Sequence, residues 1–143
     1  MEYRKAVFIV VYRKEKDKLL YLLLKRKLHW KGWEFPKGGL ENKENEKKAV
    51  LRELKEETGQ ISINILKHKH KGSYRYKKKL KDRKYKGQTY NLYSAEIKSK
   101  KVKIDRKEHS AYIWLDFNKA VKRLRWSNQK KCLRIINREI SKQ

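Results

Sequence analysis

Of the side chains that punctuate or cross-link a fold, this chain of 143 residues has few: one cysteine, one proline, one methionine and six glycines. With Cys132 alone, no intrachain disulfide can form, and nothing in the composition asks for an oxidising compartment. Set beside Leu133, Ile135 and Ile136, that thiol reads as buried. No apolar run is long enough to span a bilayer or serve as a secretory signal, so a soluble, cytoplasmic protein without a membrane partner is expected. Acid is scarce as well. Sixteen Asp and Glu stand against 42 Lys and Arg, a formal net charge of +26. That surplus favours anionic partners such as nucleotides or RNA, although a Lys-rich solvated surface has the same composition. Disorder is excluded by periodic apolar runs that carry Tyr and Trp.

What is present reads as one domain over residues 1–143, long enough to bury a real core. Ala6–Tyr12 is an apolar, β-branched run typical of a buried strand, and Leu19–Leu24 is its expected hairpin partner. A basic loop, Lys25–Lys31, leads to Trp33-Glu34-Phe35-Pro36-Lys37-Gly38-Gly39, where the single proline and the glycines mark a tight backbone path. Asn42 is placed to cap a helix over Lys43–Thr58, ended by Gly59 in the left-handed conformation. On that helix Val50, Leu51 and Leu54 form the expected core face, while Ala49 lies one turn before Glu53 and leaves space beside the acids. Strands are expected at Ile61–Leu66, Gly72–Tyr76, Thr89–Ile97 and Ala111–Leu115, and helices at Phe117–Leu124 and Asn128–Ile140. The Lys- and Arg-rich stretch 77–86 is either a solvated hairpin tip or an arm that contacts an anion. The pattern supports an α+β or α/β class and leaves strand order open.

Glu53, Glu56 and Glu57 fall at i, i+3 and i+4, so one helix would carry three carboxylates to one side. Like charges that close repel. A divalent cation removes the conflict, because hard oxygen ligands suit Mg²⁺ or Mn²⁺. The surrounding segment, Gly38 to Gly59, has the pattern G-x5-E-x7-R-E-L-x-E-E-x-G, which resembles the signature of the Nudix hydrolases. Every charged position and both glycines match. Gln60 departs from the aliphatic residue usual after the last glycine, which bears on packing of the turn more than on chemistry.

The resemblance implies an α/β/α sandwich, with the signature loop and helix and the C-terminal helices covering a mixed sheet. It also implies cleavage of a pyrophosphate linkage, with Mg²⁺ as cofactor and Mn²⁺ as a possible substitute. Glu53, Glu56 and Glu57 would be metal ligands, aided by a backbone carbonyl of Lys37 or Gly38. Glu108 sits where such enzymes place an additional glutamate, as ligand or base, and the base stays open among Glu53, Glu57 and Glu108 because neighbouring carboxylates titrate together. Glu44 and Arg52 would brace loop against helix. Two further stretches, Trp33–Glu41 and Glu108-His109-Ser110-Ala111-Tyr112-Ile113-Trp114-Leu115, look like the asymmetric diadenosine tetraphosphate hydrolases. Substrate contacts are expected from Lys37, the Gly38-Gly39 backbone and Arg26, with Lys25 nearby. His109 is either a phosphate donor or a loop anchor. Adenine needs a flat partner, for which Tyr74, Tyr76, Tyr90 and Tyr93 are available; alternation puts Tyr90 and Tyr93 on opposite faces, and Tyr93 is preferred. Trp33 and Trp114 read as packing residues. Besides a dinucleotide hydrolase, an enzyme acting on triphosphorylated RNA 5′ ends and a non-catalytic RNA-binding module remain as alternatives, the last disfavoured because no signature acid is missing.

Overall fold

The computed structural model describes residues 3–76 and 84–142. In chain order the elements are β1 (Tyr3–Glu15), β2 (Lys18–Arg26), β3 (Gly32–Glu34), β4 (Lys37–Gly39), α1 (Glu46–Thr58), β5 (Asn64–Arg75), β6 (Gly87–Glu96), β7 (His109–Leu115), α2 (Phe117–Arg123) and α3 (Ser127–Ser141). Among the described residues seven strands share one mixed sheet, with the path β3-β2-β1-β6-β5 and with β4 on β1 and β7 on β2. The pairing of β1 with β6 is parallel and the others are antiparallel. Strand β1 is central, and both its faces are covered. This explains why Ala6–Tyr12 is apolar without a break.

One face carries Val7, Ile9 and Val11 against Val50 and Leu54 of α1. The other carries Ala6, Phe8, Val10 and Tyr12 against Leu124 after α2 and against Cys132, Leu133 and Ile136 of α3. Helices on both faces of a mixed sheet make the α/β/α sandwich that was expected. Cys132 is fully buried, and burial pushes its thiol up to about 11. Among the described residues no helix is long and apolar enough to cross a membrane.

Several local expectations need correction. Helix α1 starts at Glu46 with Asn45 as its cap, whose side chain accepts from the Lys48 N–H at 2.9 Å. Lys43 has φ of 63°, which no right-handed helix includes, so Asn42 cannot be the cap. Gly59 does end the helix in the left-handed region, with φ of 72°. Leu51 is 41% exposed and so lies outside the core face expected for it, while Ala49 is fully buried on the same side as Glu53 and Glu57. The two strands expected at Ile61–Leu66 and Gly72–Tyr76 are one strand, β5. Its register slips between Lys67 and Lys71, so three residues on β5 (68–70) face one on β6, Leu92. Ile61 and Ile63 lie outside it and are exposed. Of the basic stretch 77–86, residues 77–83 lie outside the described residues, so the choice between tip and anion arm rests there. Beyond them, Lys86 Nζ sits 5.3 Å from the centre of the Tyr3 ring.

Candidate active site

Short strand β4 brings the glycines of the signature against α1. A Cβ on Gly38 would stand 2.1 Å from the Glu53 carboxyl, so the backbone there touches the acid directly. This agrees with the expectation that the Lys37–Gly38 backbone borders the ligand set. The Gly38-Gly39 segment is not a free turn, however. It pairs with Ala6 and Val7 of β1, which leaves it as strand rather than as an open row of N–H groups.

Arg52 holds this arrangement together. Its Nε and Nη2 donate to both oxygens of Glu44 at 2.8 and 2.9 Å, and Nη2 also donates to the Gly39 carbonyl at 2.9 Å. Nη1 reaches Glu53 Oε1 at 2.7 Å and Glu56 Oε2 at 3.3 Å. The expected brace between Glu44 and Arg52 is therefore present, and it extends to two of the signature acids. The hydrogen bond from Arg52 holds the Glu44 carboxyl down to about 2.

Glu53 and Glu57 point inward, at 8% and 5% exposure, while the Glu56 side chain stays half exposed. Burial pushes the Glu53 carboxyl up to about 7 against the pull of Arg52, with Glu56 and Glu108 adding repulsion. Glu57 is raised well above its ordinary value, first by burial and then by Glu53, Glu34 and Glu108. One of its oxygens, Oε2, is buried with no hydrogen-bond partner. Glu108 arrives from the turn before β7, which is pinned to the end of β2 by Lys27 N–H donating to the Glu108 carbonyl at 2.9 Å. One ligand atom from each of Glu57, Glu108 and His109 lies within 4.8 Å of the others. Two inward acids, a third acid at the mouth and an orphaned carboxylate oxygen fit a divalent cation, since uncompensated carboxylates in such a place are costly.

Glu34 was not among the expected site residues, yet it joins several of them. It ends β3, is 1% exposed, and meets Arg26 Nη1 at 3.1 Å, His109 Nε2 at 2.8 Å and Lys37 Nζ at 3.7 Å. Burial opposes its charge, but His109, Lys37 and Arg26 outweigh that and hold the carboxyl below its usual range. The available signal was an acid between Trp33 and Phe35 on a short apolar stretch, because a buried acid requires partners. This network revises two expectations. Arg26 is spent on Glu34 and on the Leu28 carbonyl, so it is a support rather than a phosphate contact. His109 is fully buried, which makes it the loop anchor and removes it as a direct phosphate donor.

The aromatic expectations divide by face. Tyr93 lies on the α1 side, 6% exposed, and donates to Glu46 Oε1 at 2.6 Å, so its ring is not free to stack on a base. Tyr90 is on the other face, as alternation required, but stacks on Phe8 at 3.8 Å. Tyr74 and Tyr76 are only partly buried and meet edge to face at 6.0 Å. Lys37 Nζ stands 5.8 Å from the ring centres of both Phe8 and Tyr74, which places that ammonium beside both rings. Trp33 and Trp114 pack against the two cores as expected.

The NUDIX domain family matches residues 2–134. This chain belongs to the Nudix family. Among curated proteins it is similar to an RNA pyrophosphohydrolase of Nitratiruptor, 39% identical over 80 residues that cover 53% of this chain and 52% of that protein. It is also similar to an RNA pyrophosphohydrolase of Zymomonas mobilis, 42% identical over 59 residues, 41% of this chain and 37% of that one. The matched region thus spans about half or less of these relatives. Among solved structures, a binary complex of a C. elegans Ap4A hydrolase aligns with a TM-score of 0.79 and 25% identity over 98% of this chain and 99% of that one. The NUDIX domain of Shewanella oneidensis NrtR, complexed with ADP ribose, aligns with a TM-score of 0.78 over 98% and 90% of the two chains; at 16% identity it speaks for the fold alone. Family and fold agree on this assignment.

Proposed function

We propose that this Nudix hydrolase cleaves dinucleoside polyphosphates asymmetrically, releasing ATP and AMP from diadenosine tetraphosphate in the presence of Mg²⁺. The observation that carries this reading is the end-to-end likeness to the C. elegans Ap4A hydrolase, over 98% of this chain at 25% identity. Bound at Glu53, Glu56, Glu57 and Glu108, Mg²⁺ would neutralise phosphate oxygens and lower the pKa of the attacking water. The chain's own residues do the rest. Lys37 offers a compact positive charge to a phosphate. Glu53, Glu57 and Glu108 form the carboxylate group from which the base is drawn. Arg52 and Gly38 fix where Glu53 can stand. Tyr74 and Tyr76, on the Lys37 side, are the proposed platform for a base, each such stack being worth about 1–3 kcal/mol.

Incubation of the protein with diadenosine tetraphosphate and Mg²⁺, with products separated by ion exchange, tests this directly. ATP and AMP in equal amounts are expected; ADP as sole product, or no turnover, refutes the proposal. A second reading, removal of pyrophosphate from triphosphorylated RNA 5′ ends, is favoured by the curated relatives of Nitratiruptor and Zymomonas mobilis and by the net charge of +26. Faster turnover of an RNA 5′ end than of the dinucleotide at equal concentration selects it instead.

A further inference from the structure

We infer that His109 is a nitrogen ligand of the divalent cation held by Glu57 and Glu108, making a mixed nitrogen–oxygen site that prefers Mn²⁺ or Co²⁺ to Mg²⁺. This rests on the reading of the cluster as a divalent-metal site and adds a ligand and a selectivity to it. The starting observation is a pair of orphaned atoms. His109 Nδ1 and Glu57 Oε2 are both buried and both lack a hydrogen-bond partner. A buried polar atom left without a partner is costly, and the two residues belong, with Glu108, to the same three-residue cluster.

The imidazole is already set up for the role. Its Nε2 faces Glu34 Oε2 at 2.8 Å. Glu34 is surrounded by Arg26 and Lys37, so it is a carboxylate and can only accept. The proton of a neutral His109 therefore sits on Nε2, and Nδ1 presents a bare lone pair. A protonated ring would instead bury an N–H at Nδ1 with no acceptor. A carboxylate holding the far nitrogen of a metal-binding histidine is a recurrent arrangement, because it fixes both tautomer and ring orientation. Glu34 is that positioning residue here.

Distance permits the ligation. Ligand atoms about 2.0–2.2 Å from one ion lie within about 4.4 Å of each other. The three ligand atoms lie within 4.8 Å of one another, so side-chain shifts of a few tenths of an ångström bring them to that range. Arg52 takes Glu53 Oε1 at 2.7 Å, so that acid has one oxygen left to offer and His109 adds a further ligand beside it. Chemistry then sets the preference. Imidazole suits first-row transition ions, whereas Mg²⁺ keeps oxygen ligands and several waters.

Mn²⁺ is the probe, added at one equivalent to the full chain and read by pulsed electron paramagnetic resonance. A ¹⁴N coupling is expected, and it should change to a ¹⁵N coupling in protein grown with ¹⁵N-histidine. His109→Gln should abolish it and weaken Mn²⁺ binding about tenfold, while Mg²⁺ binding changes far less. Glu34→Gln, whose amide carbonyl still accepts from Nε2, should keep the coupling. Bound Mn²⁺ without a histidine coupling overturns this inference and leaves the hydrolase reading standing, since the carboxylates alone then hold the ion. Hydrolysis with Mg²⁺ but no Mn²⁺ uptake also overturns it. Absence of both uptake and hydrolysis removes the two readings together.

Discussion

Glu57 is a carboxyl for which the metal-free protein provides no partner on one side and several negative neighbours on the other. Its replacement separates chemistry from stability. Glu57→Gln should lower kcat by about 10²–10⁴, the usual share of a positioned acid or base, with the fold intact by circular dichroism. In a chelator, the variant should melt above wild type at pH 8 and level with it at pH 4. The sign follows from the raised value: the folded chain keeps a proton that the unfolded chain gives up above about 4.5, so wild-type stability falls as pH rises. Glu53 adds the same trend up to about 7, where its carboxyl ionises in the folded protein as well. Divalent ions bind the ionised forms, so their stabilising effect should be larger at pH 8 than at pH 5 in a thermal shift assay; a larger effect at pH 5 would contradict the ligand assignment. Gly38 makes a steric prediction beside this electrostatic one. With a Cβ placed 2.1 Å from the Glu53 carboxyl, Gly38→Ala must displace the acid or the strand. It should cost about 1–3 kcal/mol and reduce turnover, while alanine at a glycine with open surroundings would do neither.

The elements around the site depend on Arg52 as a three-way tie. Its guanidinium joins the turn at Glu41–Glu44, strand β4 through the Gly39 carbonyl, and α1. Arg52→Ala should lose about 3 kcal/mol by urea unfolding at pH 7, together with most activity. Arg52→Lys keeps the charge without the planar fork and should recover only part of both. The pH profile gives an independent check. Glu44 is held down to about 2, so the pair contributes above about 4.5 and fades as pH falls toward 2; Arg52→Ala should flatten that acid limb. The same helix shows what sequence pattern could and could not tell. Periodicity assumed that charges face water, which centres the core face of α1 between Val50 and Leu51. The buried set is Ala49, Val50, Glu53, Leu54 and Glu57, a stripe turned toward the two inward acids, and Leu51 is left outside. Strand β1 was legible because burial on both faces demands an unbroken apolar run. The signature helix was legible through its fixed spacing. Strands β3 and β4 were not, since three residues carry no period. Nor was the single β5, whose Lys- and His-rich middle keeps its pairing to β6 through a bulge that alternation does not describe. His109 and Glu34 were illegible as a pair because 75 residues separate them, and only the register of β7 on β2 brings His109 opposite Arg26 and beside Glu34.

Across the whole molecule the excess of 26 positive charges must cost stability through self-repulsion, and at physiological strength salt screens such repulsion between charges more than about 8–10 Å apart. The melting temperature of the metal-free protein should therefore rise with added NaCl. A chain held mainly by surface ion pairs would respond the other way, but here the ion pairs among the described residues are few beside the number of Lys and Arg. The same charge discriminates between the two substrate readings. An RNA strand carries condensed counterions, and each phosphate the protein neutralises contributes a slope of about 0.7 to the salt dependence. If four phosphates beyond the reacting end are held, raising salt fourfold should weaken binding roughly fiftyfold. A dinucleotide is too short to condense counterions in this way, so its KM should rise only a few-fold over the same range. Measuring KM for both substrates across that salt series is decisive about where the charge acts. A shallow response for RNA would mean that the surface lysines serve solvation and that recognition is confined to the cleft beside Lys37.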